Sequence, residues 1–331
     1  MIQNGRIGGA AKREILSVVL PVYNEEAQIV RSVQAIRSVL EENRIGYELI
    51  LVDDGSSDGT WSVLKELALR TKGVRALRFT RNFGKEAAIL AGLEAAGGGA
   101  CLVMDADLQH PPELIPEMFR LWKEEGYEIV EGVKSSRGKE GLIGKIGAGL
   151  FYWLLRIFSG LDLKNVSDFK LLDAKVVSAL LSMGERVAFF RGMAAWVGFR
   201  RTSIPFAVVE RAGGTSKWSW FQLVKLAINA ITSFSSLPLQ IVTYLGVIFL
   251  AGSVVLAAQT LYMKFRGEAA SGFTTIILLL LLIGSCLMIS LGIIGMYIAR
   301  IFQEVKARPR YLLSEVVGIE EAGPRPPRAL R

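Results

Sequence analysis

Two carboxylates one residue apart, Asp105 and Asp107, stand at the end of an apolar run, Ala100–Asp105. Both can turn toward one hard divalent cation and leave room around it for water and a substrate's phosphate oxygens. A cation held in this way neutralises a departing diphosphate. A solvated acidic turn has the same sequence, so position in the fold must decide between the two. Other chemistries drop out on residue type. The single histidine, His110, sets aside multi-His metal sites and His-based triads. Cys101 and Cys286 lie far apart in apolar segments, which suits neither a zinc site nor a disulfide framework. No G-x-G-x-x-G follows a strand-like run, and Gly213–Lys217 (GGTSK) has the wrong order for a phosphate loop. Dinucleotide oxidoreductases and P-loop NTPases are therefore excluded.

The elements that must place these residues alternate along the chain. Strands are expected at Ile15–Val22, Tyr47–Asp53, Val74–Thr80, Ala100–Asp105 and Tyr127–Val133. Helices are expected at Glu25–Glu42, at Asp58–Arg70 with Ser57 or Asp58 as N-cap, and at Lys85–Ala96, with another opened by Pro111-Pro112-Glu113. Short apolar strands separated by helices predict an α/β domain over residues 15–212, after a flexible lead over residues 1–14. Its sheet should be mostly parallel with helices on both faces. Ligands of such sheets gather at the carboxyl ends of the strands. Those ends carry Pro21–Glu26, Asp53–Thr60, Arg81–Lys85 and Asp105–His110, so one rim collects carboxylates and a few cations.

The rim motifs PVYNEE, VDDGSSDGT, RNFGKEAA and DADLQHPPE, in that order and spacing, resemble the inverting family 2 glycosyltransferases of GT-A (Rossmann-like) fold. Later segments narrow the likeness: VSDFKLLDAKVV (Val166–Val177), RGMAAWVGF (Arg191–Phe199), ERAGGTSKWS (Glu210–Ser219) and VKARPRY (Val305–Tyr311). They are similar to polyprenyl-phosphate glycosyltransferases, the bactoprenol glucosyltransferases and dolichyl-phosphate mannose synthases among them. The Q-x-x-R-W of processive polysaccharide synthases is absent. The resemblance implies that Pro21, Tyr23, Glu25, Val52 and Asp54 hold the nucleotide, with Met104, Asp105 and Ala106 lining its site. It implies that Asp105, Asp107 and Gln109 surround Mg²⁺ or Mn²⁺, and that Lys134, Arg137, Arg211 and Lys217 grip phosphate. Lys134 stands where relatives commonly carry Arg, and a lysine lacks the bidentate fork. Asp168 matches an acid placed near the acceptor. His110 departs from the usual Asp or Asn and reads as a helix-entry residue.

Charge is unevenly spread. Of the 39 Lys+Arg and 31 Asp+Glu, only Lys264, Arg266 and Glu268 fall between Leu226 and Ala299. Two uncharged runs, Leu237–Met263 and Phe273–Ala299, exceed the roughly 20 residues a bilayer core requires. The competing reading is a buried helix pair in a soluble core. Lys217 and Lys225 precede the spans and Arg300, Lys306, Arg308 and Arg310 follow them, which places the large domain and both termini in the cytoplasm. Residues 213–236 are expected as an interfacial helix region and residues 300–331 as a cytoplasmic tail. Aromatics and cations in Gly144–Leu161 and Lys217–Phe234 suit helices at the headgroup level or, equally, core helices. The net charge of +8 suits anionic lipid headgroups, and its spread among acidic residues excludes nucleic acid as a partner.

The resemblance implies inverting transfer of a hexose, glucose from UDP-glucose, to undecaprenyl or dolichyl phosphate at the inner (plasma) membrane. GDP-mannose as donor and another lipid as acceptor are the alternatives within enzymes. A catalytically silent scaffold or flippase partner is the alternative outside them, and self-association is left open. A phosphate monoester is largely dianionic at pH 7, since its second pKa is about 6, so the acceptor needs positioning more than a base. Arg137, Arg211 and Lys217 are expected to orient the phosphates. Asp168 is expected to organise those cations or the sugar rather than to act as an obligatory base.

Overall fold

A computed structural model of the chain describes residues 14–134, 166–185, 188–206, 237–266 and 272–318. Backbone contacts divide the chain into two compact units, and all the described strands fall in the first. That unit begins β1 (Leu16–Val22), α1 (Ile29–Glu42), β2 (Tyr47–Asp53), α2 (Thr60–Arg70), β3 (Val74–Phe79), α3 (Lys85–Ala95) and β4 (Ala100–Val103). A 3₁₀ turn at Pro112–Leu114 leads into α4 (Ile115–Lys123) and β5 (Ile129–Lys134). It continues with β6 (Val166–Asp173), α5 (Ala174–Ser182), α6 (Phe190–Trp196) and β7 (Arg201–Phe206).

The strands form one eight-stranded sheet in the order β7-β5-β6-β4-β1-β2-β3-β8. β4, β1, β2 and β3 run parallel, as the alternating strand and helix pattern predicts. β6 is antiparallel to both β4 and β5, so the sheet is mixed. Period-two alternation sorts side chains to the two faces. Leu16, Val18, Leu20 and Val22 of β1 join a core with Ile29, Val33, Ile36 and Leu40 of α1, whose spacing makes one helical stripe. Val19, on the other face, packs so closely against α3 that a Cβ at Gly92 would lie 2.2 Å from its Cγ1. Both faces of the central strands are thus covered, and burial there is nearly complete.

The helix ends differ from expectation by a few residues. α2 starts at Thr60, after Gly59, and Asp58 instead accepts the Thr60 N–H at 3.0 Å within the preceding turn. α1 starts at Ile29 because Asn24, with φ +54°, and the residues after it are held in a loop.

The second unit contains α7 (Leu237–Phe265, 29 residues) and α8 (Phe273–Val305, 33 residues). Within them Leu239–Phe265 and Leu282–Val305, with mean hydropathy 2.3 and 2.1, are long and apolar enough to cross a membrane. None of either apolar window is buried, which is the opposite of a soluble core helix pair.

The last described strand belongs to the first unit again. β8 (Leu313–Val317) pairs antiparallel with β3, so residues expected as part of a cytoplasmic tail complete the sheet edge. Tyr311 stacks on Phe79 with centroids 4.9 Å apart and donates to Glu94 at 2.5 Å. Trp61 Nε1 and Lys65 Nζ both donate to the Glu315 carboxylate, at 3.0 and 2.5 Å.

Candidate active site

The chain leaves β1 for β2 on one side and, after β3, returns to place β4 on the other. Loops therefore diverge between the carboxyl ends of β1 and β4, the switch point at which open α/β sheets bind ligands. β4 ends its pairing at Val103, opposite Val19, while β1 runs on to Val22. The chain from Met104 thus peels away from β1 and opens a cleft. A cavity of about 250 Å³ lies there, walled by Pro21, Val22, Tyr23 and Glu25 from the first rim loop, with Asp54, Lys85, Asp105, Ala106 and Asp107 from the others.

The loops are laced to one another. The Asn24 N–H donates to Ser56 Oγ at 2.9 Å, and Asn24 Oδ1 accepts the Ser57 N–H at 2.9 Å. The Glu25 N–H donates to Thr60 Oγ1 and the Gly59 N–H to Glu26 Oε2, both at 2.9 Å. Gly55, at φ +69°, lets the second loop touch the third, since a Cβ there would lie 2.4 Å from the Arg81 carbonyl carbon. Asp54 spends its carboxylate on the third loop, accepting the Phe83 N–H at 2.7 Å and the Gly84 N–H at 2.9 Å. Burial raises its pKa, and those two N–H groups restrain the rise.

The fourth loop is fixed from several directions. Ser32 Oγ donates to the Ala106 carbonyl at 2.5 Å. Asp107 Oδ1 accepts the Gln109 N–H at 3.1 Å. Leu108 adopts φ +56°, a strained conformation for a branched residue, between the second carboxylate and that N–H. His110 is buried, stacked on Phe169 at 5.0 Å, and its Nδ1 accepts the Asp105 N–H at 3.2 Å. It is not only a helix-entry residue: it holds the backbone of the first carboxylate.

Behind the cavity runs an ionic chain that sequence reasoning did not assemble. Lys85 Nζ lies 2.6 Å from Asp105 Oδ1 and donates to Asp168 Oδ2 at 2.7 Å. Arg191 donates Nε to Asp168 Oδ1 at 2.6 Å and Nη2 to Oδ2 at 2.9 Å. Burial alone would raise the Asp168 carboxyl, but the Arg191 hydrogen bonds and the Lys85 and Arg191 charges hold it well below the usual carboxylate range. Burial likewise works against the Lys85 ammonium, and the two carboxylates outweigh it, raising its pKa. Glu86 accepts the Phe190 N–H at 2.8 Å; burial, aided by the Asp168 charge, pushes its pKa up to about 7. Further in, Lys170 and Glu131 form a buried pair at 2.6 Å, with burial lowering the lysine's pKa.

The structure thus brings Pro21, Tyr23, Glu25, Asp54, Asp105, Ala106 and Asp107 to one cavity and joins Asp168 to it through Lys85. Val52 and Met104 are fully buried and are not part of the wall, so their side chains pack the sheet and a contact with a ligand would fall to their backbone. Gln109 is partly exposed and, like them, is not part of the wall. Lys134 ends β5 opposite Phe206 of β7. Arg137, Arg211 and Lys217 lie outside the described residues, as do residues 144–161 and 213–236. Lys85, Glu86 and Arg191 were missed as individuals. Their signal was present in RNFGKEAA and RGMAAWVGF, motifs whose partners are distant in sequence.

The first unit is thus a mixed α/β sheet with an acidic cavity at its switch point, and the second holds two helices long and apolar enough to cross a membrane. Residues 17–160 match the model of Glycosyl transferase family 2. An uncharacterized glycosyltransferase of Bacillus subtilis, YkcC, is 39% identical over 306 residues, covering 92% of this chain and 94% of that one. A prophage bactoprenol glucosyl transferase homolog of Escherichia coli is 36% identical over 303 residues, covering 91% and 99%. Glucosyl-3-phosphoglycerate synthase from Mycobacterium tuberculosis, solved with phosphoglyceric acid, is 25% identical, with a TM-score of 0.47 over 68% of this chain and 81% of that one. The chain belongs to glycosyl transferase family 2, and its sheet is the GT-A arrangement which the sequence motifs imply.

Proposed function

We propose that the chain transfers a hexose, with UDP-glucose as donor, to a polyprenyl phosphate at the cytoplasmic face of the membrane, with inversion at the anomeric carbon. The observation that carries this reading is that one chain joins a carboxylate-walled switch-point cavity to two helices long enough to cross a membrane. Relatives named bactoprenol glucosyl transferases, 35% identical over about nine-tenths of the chain, support glucose as the sugar and a polyprenyl acceptor.

The residues fit a hard divalent cation. Asp105 and Asp107 both face the cavity, and Asp105 Oδ1 is buried with no well-directed hydrogen bond, only the Lys85 ion pair. Among the described residues no three His, Cys, Asp or Glu side chains converge on one point. Most ligands would then be diphosphate oxygens and water, the habit of Mg²⁺ and the chemistry expected of Mn²⁺ here. When bound, the ion supplies charge neutralisation for the departing nucleoside diphosphate.

Tyr23, 47% exposed at the cavity mouth, offers its ring to the base. Asp54 shapes the third loop. Asp168, with both oxygens held by cations, is a poor base, because a base works best with a pKa near the working pH. Its task is to hold Arg191 and Lys85, and a dianionic phosphate acceptor needs no stronger base. Arg137, Arg211 and Lys217 remain the proposed phosphate ligands.

The test is transfer by the purified full chain, in detergent or nanodiscs, with undecaprenyl phosphate, Mg²⁺ or Mn²⁺ and a panel of radiolabelled nucleotide sugars. Label from UDP-glucose should move to the lipid phase as a β-linked product. No transfer from any donor overturns the reading, and transfer from GDP-mannose alone overturns the donor.

A further inference from the structure

Lys85 stands in an unusual place. It is the first residue of α3, where a cation opposes the helix dipole. A local rule broken in this way marks a site serving something other than stability. The described cavity wall carries four carboxylates, Glu25, Asp54, Asp105 and Asp107, and one cation, Lys85. Its side chain is 41% exposed, so a ligand in the cavity can reach it. Its ammonium is shared between Asp105 Oδ1 at 2.6 Å and Asp168 Oδ2 at 2.7 Å. Asp105 is one of the two proposed metal ligands. A divalent ion and an ammonium cannot both sit against the same buried oxygen, since like charges at contact repel strongly.

We infer that Lys85 is an exchange residue: it occupies Asp105 until a metal–diphosphate pair arrives, then yields Asp105 and binds a donor phosphate oxygen. This rests on the proposed metal-dependent reading. Asp168 does not take part in the exchange. It keeps its hydrogen bond to Lys85 and so holds the ammonium at the cavity edge, within reach of the incoming phosphate. The exchange gives Lys85 two opposite effects. Toward the ion alone it is a competitor. Toward the ion and nucleotide together it is a helper, because the diphosphate offers it a new partner. Ion and nucleotide are thereby coupled, and a bare ion is kept out of the cavity.

The two effects have opposite signs, which a merely structural role cannot reproduce. Mn²⁺ binding to the full chain is measured by the electron paramagnetic resonance of free Mn²⁺, with and without UDP, for wild type, Lys85→Met and Lys85→Arg. Lys85→Met should bind Mn²⁺ alone about fivefold more tightly than wild type, and the tightening of Mn²⁺ by UDP should shrink by a similar factor. Lys85→Arg, which keeps the charge, should retain the wild-type pattern. Unchanged or weaker binding of Mn²⁺ alone by Lys85→Met overturns the inference. Should that variant fail to melt cooperatively, Lys85→Gln replaces it under the same criterion. Wild type that binds no Mn²⁺ even with UDP overturns the metal reading itself, and the exchange with it. A wild type that binds Mn²⁺ while Lys85→Met shows no tightening removes only the exchange.

Discussion

Arg191 grips Asp168 through two near-parallel hydrogen bonds, at 2.6 and 2.9 Å, and the carboxylate so held is almost fully enclosed. Asp168→Asn leaves Arg191 and Lys85 without their shared counter-charge. The expected result is a fall in kcat of about 100-fold, as for a displaced catalytic group. The pH–rate profile should keep its shape, because no titrating base has been removed. Loss of the basic limb, or recovery confined to high pH, would assign Asp168 the base role instead.

Stability should respond to acid through the same residue. The Asp168 pKa is lower folded than unfolded, so its contribution is present above the unfolded value, about 3.9, and is lost as pH falls through the folded one. Melting curves of wild type should drop below about pH 4, and those of Asp168→Asn should drop less steeply.

Glu86 works in the other direction. Its pKa is raised to about 7, so its contribution is full below the unfolded value, about 4.3, and is lost as pH rises from there through neutrality, where this partly buried carboxyl must ionise. Glu86→Gln keeps an acceptor for the Phe190 N–H and cannot ionise. It should match wild type at pH 4 and be more stable by about 1–2 kcal/mol at pH 8. Equal melting temperatures at pH 8 would refute the buried-carboxyl account.

Removal of the divalent ion should stop transfer, and Mg²⁺ or Mn²⁺ should restore it. Asp105→Ala and Asp107→Ala should each lower turnover by about 100- to 1000-fold, the scale for losing one electrostatic stabiliser of developing charge. Either variant turning over normally in a chelator would sink the assignment of those carboxylates.

The final strand can be probed at Tyr311. Tyr311→Ala removes the ring from Phe79 and the hydroxyl from Glu94, and should cost about 2 kcal/mol, since the ring is only partly buried. Tyr311→Phe should cost about 1 kcal/mol, the worth of one hydrogen bond. Thermal melting of both variants checks the ordering.

The rim was legible because its carboxylates sit at strand ends, and four parallel strands deliver their ends to one edge. Asp105, Asp107, Tyr23 and Glu25 could be placed by that rule alone. Partnerships across the sheet could not. Lys85 meets Asp168 across 83 positions, and β3 meets β8 across more than 200, distances over which no local pattern operates. The antiparallel course of β6 was hidden for the same reason, since an apolar strand reads alike in either direction. Val52 and Met104 show a further limit: motif position names a neighbourhood, whereas burial is settled by the packing of both sheet faces.

β8 gives the molecule a built-in order of synthesis. Its five residues emerge from the ribosome after both long apolar helices, yet they pair with a strand made more than 200 residues earlier. The edge of β3 therefore stays open throughout translation of α7 and α8. It closes only in a chain whose C-terminus has ended up in the same compartment as its sheet. A chain that stops short of Leu313 leaves the edge of β3 without its antiparallel partner.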